Sequence, residues 1–118
     1  MKGVSKMSNP TENLFTKRTR KIARELCGLA YERELSTALQ ELEAKFQEWH
    51  EEKIDAFDLN DAIHKHHNGI SRHLWNKYAD KPEFILPIQI VNGVIKEEEV
   101  PEILMKELRD LLPRYRMI

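Results

Sequence analysis

Four of the five histidines in this 118-residue chain fall within ten consecutive positions. They are His64, His66, His67 and His73, and Asp61 stands three residues before the first of them. Histidine titrates near neutral pH and is the commonest metal ligand in proteins. On a helix, side chains three residues apart share one side, so either Asp61 with His64 or His64 with His67 could coordinate an ion jointly. These three residues are our candidate site for an iron or zinc ion.

The Asp61-x-x-His64 spacing is similar to half of the carboxylate-x-x-histidine unit of di-iron helical bundles. A complete centre of that kind needs a second such unit and two more carboxylates from facing helices. The preceding segment is rich in glutamate but contains no Glu-x-x-His, because Gln47 stands three residues before His50. A metal-binding helical protein is therefore an alternative, and our main prediction includes no cofactor.

Packing is the competing explanation for the histidines. His66 and His73 are seven residues apart, which is about 10.5 Å along a helix axis, so they cannot easily share an ion within one chain. Their face of the predicted helix carries apolar residues, namely Leu59, Ile63, Ile70 and Leu74. We predict that both histidines point inward and bond to backbone or carboxylate groups.

Two amphipathic segments predict an all-α fold with a long antiparallel helical hairpin, about 14–53 and 58–79. The second segment opens at Asp58, a suitable N-cap residue, and Gly69 is expected to weaken it without ending it. Proline and glycine positions predict two short C-terminal helices, about 87–92 and 101–112. Residues 1–13 are polar and are predicted to be disordered or loosely attached, which leaves 14–118 as one helical domain.

The first long segment changes its apolar side near residues 28–31. Before this point Ile22, Leu26 and Leu29 form one stripe, and a heptad seam follows it. The helix either breaks there or presents two apolar faces. A helix over 17–53 would be about 55 Å long, which is too long for a monomer of this size to cover on both faces. We therefore predict a homodimer, with an interface along the seam at Leu35, Leu39, Leu42, Phe46 and Trp49.

Basic residues gather at the start of the first helix. Their positions are Lys17, Arg18, Arg20, Lys21 and Arg24. Such a cluster could neutralise nucleic-acid phosphates, but no aromatic residues are interleaved for base stacking. Nucleic-acid binding through 17–24 is therefore a second alternative.

Catalytic motifs are missing from the sequence. Cys27 has apolar neighbours, whereas a reactive cysteine needs an electropositive, accessible setting. A single cysteine suits a reducing compartment, and no apolar run approaches the roughly 20 residues that cross a bilayer. We expect a cytoplasmic, non-enzymatic oligomerisation or protein-interaction module, with its own copy and perhaps another protein as partner.

Overall fold

The computed structural model describes residues 14–116, and this part of the chain is helical with no strand. The predicted all-α class is confirmed. The predicted tail, 1–13, lies outside the described residues. The helices are α1 (Lys17–His50), α2 (Ala56–His66), a π-helical turn (His67–Ser71), α3 (Arg72–Lys77), α4 (Pro82–Val91), a 3-10 turn (Glu97–Glu99), α5 (Glu102–Leu108) and α6 (Leu112–Arg116).

Helix α1 is continuous through Gly28, so of the two sequence alternatives the unbroken helix is correct. Thr16 caps its start, because the backbone amide of Thr19 donates to the Thr16 hydroxyl at 3.1 Å. The chain separates into two compact units, and α1 crosses the boundary between Ala30 and Tyr31. The apolar stripe of the sequence changes sides at this same point. Each part of α1 therefore serves a different unit.

The first unit takes the described residues up to Ala30 and from Asp80 onward. Small residues of α1 form its buried face, at Thr19, Ala23, Cys27 and Ala30. The apolar stripe of the sequence is not the buried face here, because Ile22 and Leu26 are half-buried and Leu29 is exposed. Small side chains let a helix approach its neighbours closely. The C-terminal helices supply the large apolar side chains of this core, since Leu86, Leu104 and Leu108 are fully buried.

Helix α4 begins five residues earlier than the predicted 87–92 segment, at Pro82. Proline suits the first position of a helix, where its missing N–H has no partner in any case. Pro87 therefore lies inside the helix, where it removes one backbone hydrogen bond. The predicted end is confirmed: Gly93 has φ +82°, and the Val94 amide donates to the Gln89 carbonyl at 2.9 Å. This bond belongs to a Schellman motif, which favours glycine.

The last predicted helix, 101–112, is two helices instead of one. Pro101 precedes α5, which ends at Leu108. Pro113 directly follows the predicted end at residue 112, but it lies in the first turn of α6, where a missing N–H costs no helical bond.

The second unit, Tyr31–Ala79, is the predicted antiparallel hairpin. The Lys77 ammonium bonds to Glu34 at 2.8 Å, and the Tyr31 and Tyr78 rings stack with their centroids 4.8 Å apart. The N-cap of α2 is Asp55, not the predicted Asp58. Asp58 is the third helical residue and completes a capping box with Asp55, a reciprocal arrangement that satisfies two backbone amides.

The π-helical turn, His67–Ser71, contains Gly69 and joins α2 to α3 without a break. The expectation of a continuous helix weakened at this glycine agrees with it. A π-helical turn closes i→i+5 hydrogen bonds and so holds one more residue than an α-helical turn. Leu74 lies inward as predicted, with 2% of its surface exposed. The prediction that His73 points inward is wrong, since His73 is exposed, whereas His66 is half-buried.

Gly69→Ala is expected to raise the free energy of unfolding by about 0.5–1 kcal/mol. A Cβ atom at this position meets nothing within 4 Å, and the backbone is not in the left-handed region. Alanine restricts the unfolded chain more than glycine does. Urea unfolding followed by circular dichroism measures the difference. A loss of stability would mean that the π-helical turn depends on glycine.

Candidate interaction surface

The hairpin of the second unit has a thin core. All of Tyr31–Ala79 is described, and its only buried apolar side chains are Ala38, Leu59 and Leu74. Large apolar side chains remain exposed along both arms and at the tip, namely Leu39, Phe46, Trp49, Phe57, Ile63, Ile70 and Trp75. Single exposed apolar residues are ordinary, but a large contiguous apolar patch marks an interaction site.

Four of the exposed apolar side chains of the two arms fall on one side of the hairpin. Leu39 directly follows the buried Ala38, and Trp75 directly follows the buried Leu74. Each step along an α-helix rotates the side chain by about 100°. Leu39 and Trp75 therefore both point about 100° away from the side on which the two arms touch, each in the direction in which its own helix winds. Because the two helices run in opposite directions, this rotation brings both side chains to the same side of the hairpin. Phe46 and Ile63 are turned in that direction too, and we call Leu39, Phe46, Ile63 and Trp75 the apolar face.

A small cavity of about 210 Å³ opens beside the π-helical turn. Its lining combines aromatic rings with polar donors, at Tyr31, His67, Ser71, Arg72 and Trp75. Four of these residues lie in the π-helical turn or after it, and the extra residue in the turn rotates Arg72 and Trp75 relative to the helix before the turn. We call this cavity the π-turn pocket. The stacked Tyr31 and Tyr78 rings, only 3° from parallel, support its wall.

A shallow groove of about 250 Å³ runs between the arms elsewhere on the hairpin. Its floor is apolar, with Ala38, Leu42 and Ala62, and charged residues such as Lys45 and Lys65 line it as well. Mixed surroundings of this kind are typical of the edge of a helix pair, where long charged side chains cover apolar surface.

The metal candidates are not assembled into a site. Among residues 14–116, no group of three or more His, Cys, Asp or Glu side chains could hold a metal ion. Asp61 instead pairs with Lys65 at 2.9 Å, one helical turn further on. His64 and His67 are exposed, and His67 lines the π-turn pocket.

The basic segment is divided by its contacts. Arg20 bonds to Glu83 through two nitrogens, with Nη2 at 2.7 Å and Nε at 2.9 Å from the same carboxylate oxygen. This arginine therefore belongs to the first unit's packing. The other four basic residues are exposed, at Lys17, Arg18, Lys21 and Arg24. An exposed basic helix surface of this kind is common and does not by itself specify a nucleic-acid partner.

Cys27 is a buried thiol in the same region. Burial raises its pKa to about 12, and the negative charge of Glu83 adds to the effect. Both causes disfavour the thiolate, which is the nucleophilic form. The sequence-based expectation of a structural thiol agrees with this environment.

Alkylation of Cys27 by iodoacetamide at pH 8 is expected to be about 1,000-fold slower in the folded protein than in urea. A pKa of about 12 leaves about one thiol in ten thousand ionised at pH 8, compared with roughly a quarter for an ordinary cysteine. Mass spectrometry of timed samples measures both rates. Comparable rates would show that the folded environment does not suppress the thiolate.

Comparison of the chain with protein-family models, with curated proteins and with solved structures found no match. Across residues 14–116, no helix has both the length and the apolar character required to cross a bilayer.

Two features of the hairpin escaped the sequence-based predictions. The π-turn pocket was missed because a 3.6-residue period places Arg72 and Trp75 on the wrong sides once a π-helical turn intervenes. Phe57 falls between the predicted helical segments 14–53 and 58–79, although it belongs to the first turn of α2. The signal that could have located the helix start is the Asp55-x-x-Asp58 spacing, which suits a reciprocal cap.

Proposed function

We propose that this protein is a non-enzymatic homodimerisation module, in which two hairpins pair through their apolar faces to form a four-helix bundle. The observation that carries the proposal is the apolar face beside a core of only three buried apolar side chains. An isolated helical pair with so little core gains stability when a second copy covers its exposed face. Two residues of the predicted seam, Leu39 and Phe46, belong to this apolar face.

The available area supports a dimer of ordinary size. An aromatic side chain buries about 200 Å², so the exposed fractions of Phe46 and Trp75 on the apolar face, together with those of Trp49 and Phe57 outside it, amount to roughly 450 Å². A standard interface covers about 800 Å² on each partner, of which somewhat more than half, about 450 Å², is apolar. The aromatic residues of the hairpin alone supply that share.

The mass in solution tests the proposal. Sedimentation velocity at micromolar concentration is expected to give twice the 14.0 kDa of the chain, with dissociation on dilution. A monomer over the whole concentration range would overturn the proposal. We further propose a cytoplasmic location, on the ground that a single cysteine suits a reducing compartment.

A further inference from the structure

The π-turn pocket has the chemistry of a site for an aromatic group flanked by negative charge. Tyr31 and Trp75 provide aromatic surface, while Ser71, His67 and Arg72 provide hydrogen-bond donors, and no carboxylate lines the cavity. Among residues 14–116, the Arg72 guanidinium has no ion pair. A cavity of about 150 Å³ is enough to hold benzene, so the 210 Å³ of this pocket admits a phenyl ring.

The hairpin tip presents such a group. Phe57 is 86% exposed, more than any other large apolar side chain among the described residues. Its neighbours Asp55 and Asp58 carry negative charge. Over residues 48–58 there are five carboxylates and one lysine, Lys53. The tip is therefore an acidic segment with a protruding phenyl ring.

We propose that Phe57 of one copy inserts into the π-turn pocket of a second copy, with its flanking aspartates facing Arg72. The contact cannot form within one chain, because Phe57 and Ser71 are fourteen residues apart on one helical arm, about 21 Å. The inference rests on the proposed homodimer and adds its orientation. A two-fold axis repeats the contact, so each dimer contains it twice.

Charge selects this orientation over its main alternative. Two hairpins packed face to face can align tip beside tip or tip beside base. Tip beside tip would bring two sets of five carboxylates together, and like charges that face each other across an interface oppose association. Tip beside base places the acidic segment near Arg72 and His67 instead. This arrangement also overlaps the arms over their full length and so covers Leu39, Phe46 and Ile63.

A mixing experiment with two charge variants tests the contact. Phe57→Arg places a cation against Arg72, and Arg72→Glu places a carboxylate against the acidic tip. Each homodimer then contains two repulsive contacts, and each variant is expected to dissociate at least tenfold more readily than the wild type. In the mixed dimer the two introduced side chains, which have opposite charges, face each other in one contact, and the other contact is native. Mixing is therefore expected to restore association. Both positions are exposed, and circular dichroism checks that the helices persist.

Lys65→Glu is the matched control, because it makes the same charge change as Arg72→Glu on the same helical arm, away from the pocket. It should not rescue Phe57→Arg. Sedimentation velocity of the wild type, each variant and the equimolar mixtures gives the readout. A monomeric wild type overturns the homodimer and this contact together. A dimeric wild type with unaffected variants, or weakened variants that mixing does not rescue, overturns the contact alone. Submillimolar binding of benzoate to the wild-type dimer, without dissociation and followed by tryptophan fluorescence, would assign the pocket to small aromatic anions instead.

Discussion

Arg20→Met is expected to lower the free energy of unfolding by about 3 kcal/mol, whereas Glu83→Met lowers it by less than about 1 kcal/mol. The two substitutions are expected to differ because the two side chains differ in burial. The Glu83 side chain is 1% exposed and the Arg20 side chain 32% exposed. Without Arg20, a carboxylate is left buried and uncompensated, which is the costly way to break an ion pair. Without Glu83, the guanidinium turns toward water.

The second carboxylate oxygen of Glu83 gives a further reason for this difference. Glu83 Oε1 is buried and has no hydrogen-bond partner among the described residues, so the carboxylate depends on the arginine held at its other oxygen. A buried polar group without partners costs about 1–3 kcal/mol, and a charge costs more. Methionine at position 83 removes that cost and fills similar volume. The Arg20→Met/Glu83→Met double variant is therefore expected to be more stable than Arg20→Met alone.

Urea unfolding of the three variants provides the measurement, and Lys77→Met is the matched control. The Lys77–Glu34 pair also joins a cation to a glutamate, and Lys77 is about as exposed as Arg20, but the Glu34 side chain is 21% exposed and that of Glu83 only 1%. A pair in contact with water contributes about 0–1 kcal/mol. Equal losses for Arg20→Met and Glu83→Met would contradict the buried-charge explanation, as would a double variant no more stable than Arg20→Met.

The helical hairpin was predictable because local rules determine it. Strong helix formers and a heptad period specify α1, and the same spacing places Leu59 and His66 inward on α2. The hairpin ends were predicted within three residues, and Gly93 marked the end of α4 correctly. These features depend on residues that are near one another in sequence.

The incorrect predictions have two kinds of cause: contacts between residues that are distant in sequence, and a local change in the helical period. The buried face of α1 in the first unit was not identified, because hydrophobicity selects the large residues Ile22 and Leu26, whereas the buried residues Ala23 and Cys27 are small. The Arg20–Glu83 pair joins residues 63 positions apart, which no local pattern indicates. His73, which was predicted to share the inward face with Leu74, is exposed because the π-helical turn adds one residue to the period. The structure does not test the candidate metal site, and among residues 14–116 the Asp61 carboxylate pairs with Lys65.

Leu39→Glu is expected to raise the dimer Kd about 100-fold. Leu39 lies at the middle of the apolar face, and the substitution places a carboxylate in an interface that must exclude water. A two-fold symmetric dimer contains the substitution twice. A loss of about 1.4 kcal/mol of association free energy for each copy raises the Kd tenfold, and the two copies together raise it 100-fold. The fold should persist, because Leu39 is 46% exposed in the chain alone.

Ile88→Glu is the matched control for this change. Ile88 lies on α4 in the first unit and is 40% exposed, so it has similar chemistry and similar access to water but lies outside the apolar face. Sedimentation velocity over a hundredfold range of concentration should show a weakened dimer for Leu39→Glu and an unchanged one for Ile88→Glu. Equal dissociation of both variants would mean that the loss does not depend on the hairpin. An unchanged Leu39→Glu dimer would place the interface on another surface, because a carboxylate buried at the centre of the apolar face cannot leave association unaltered.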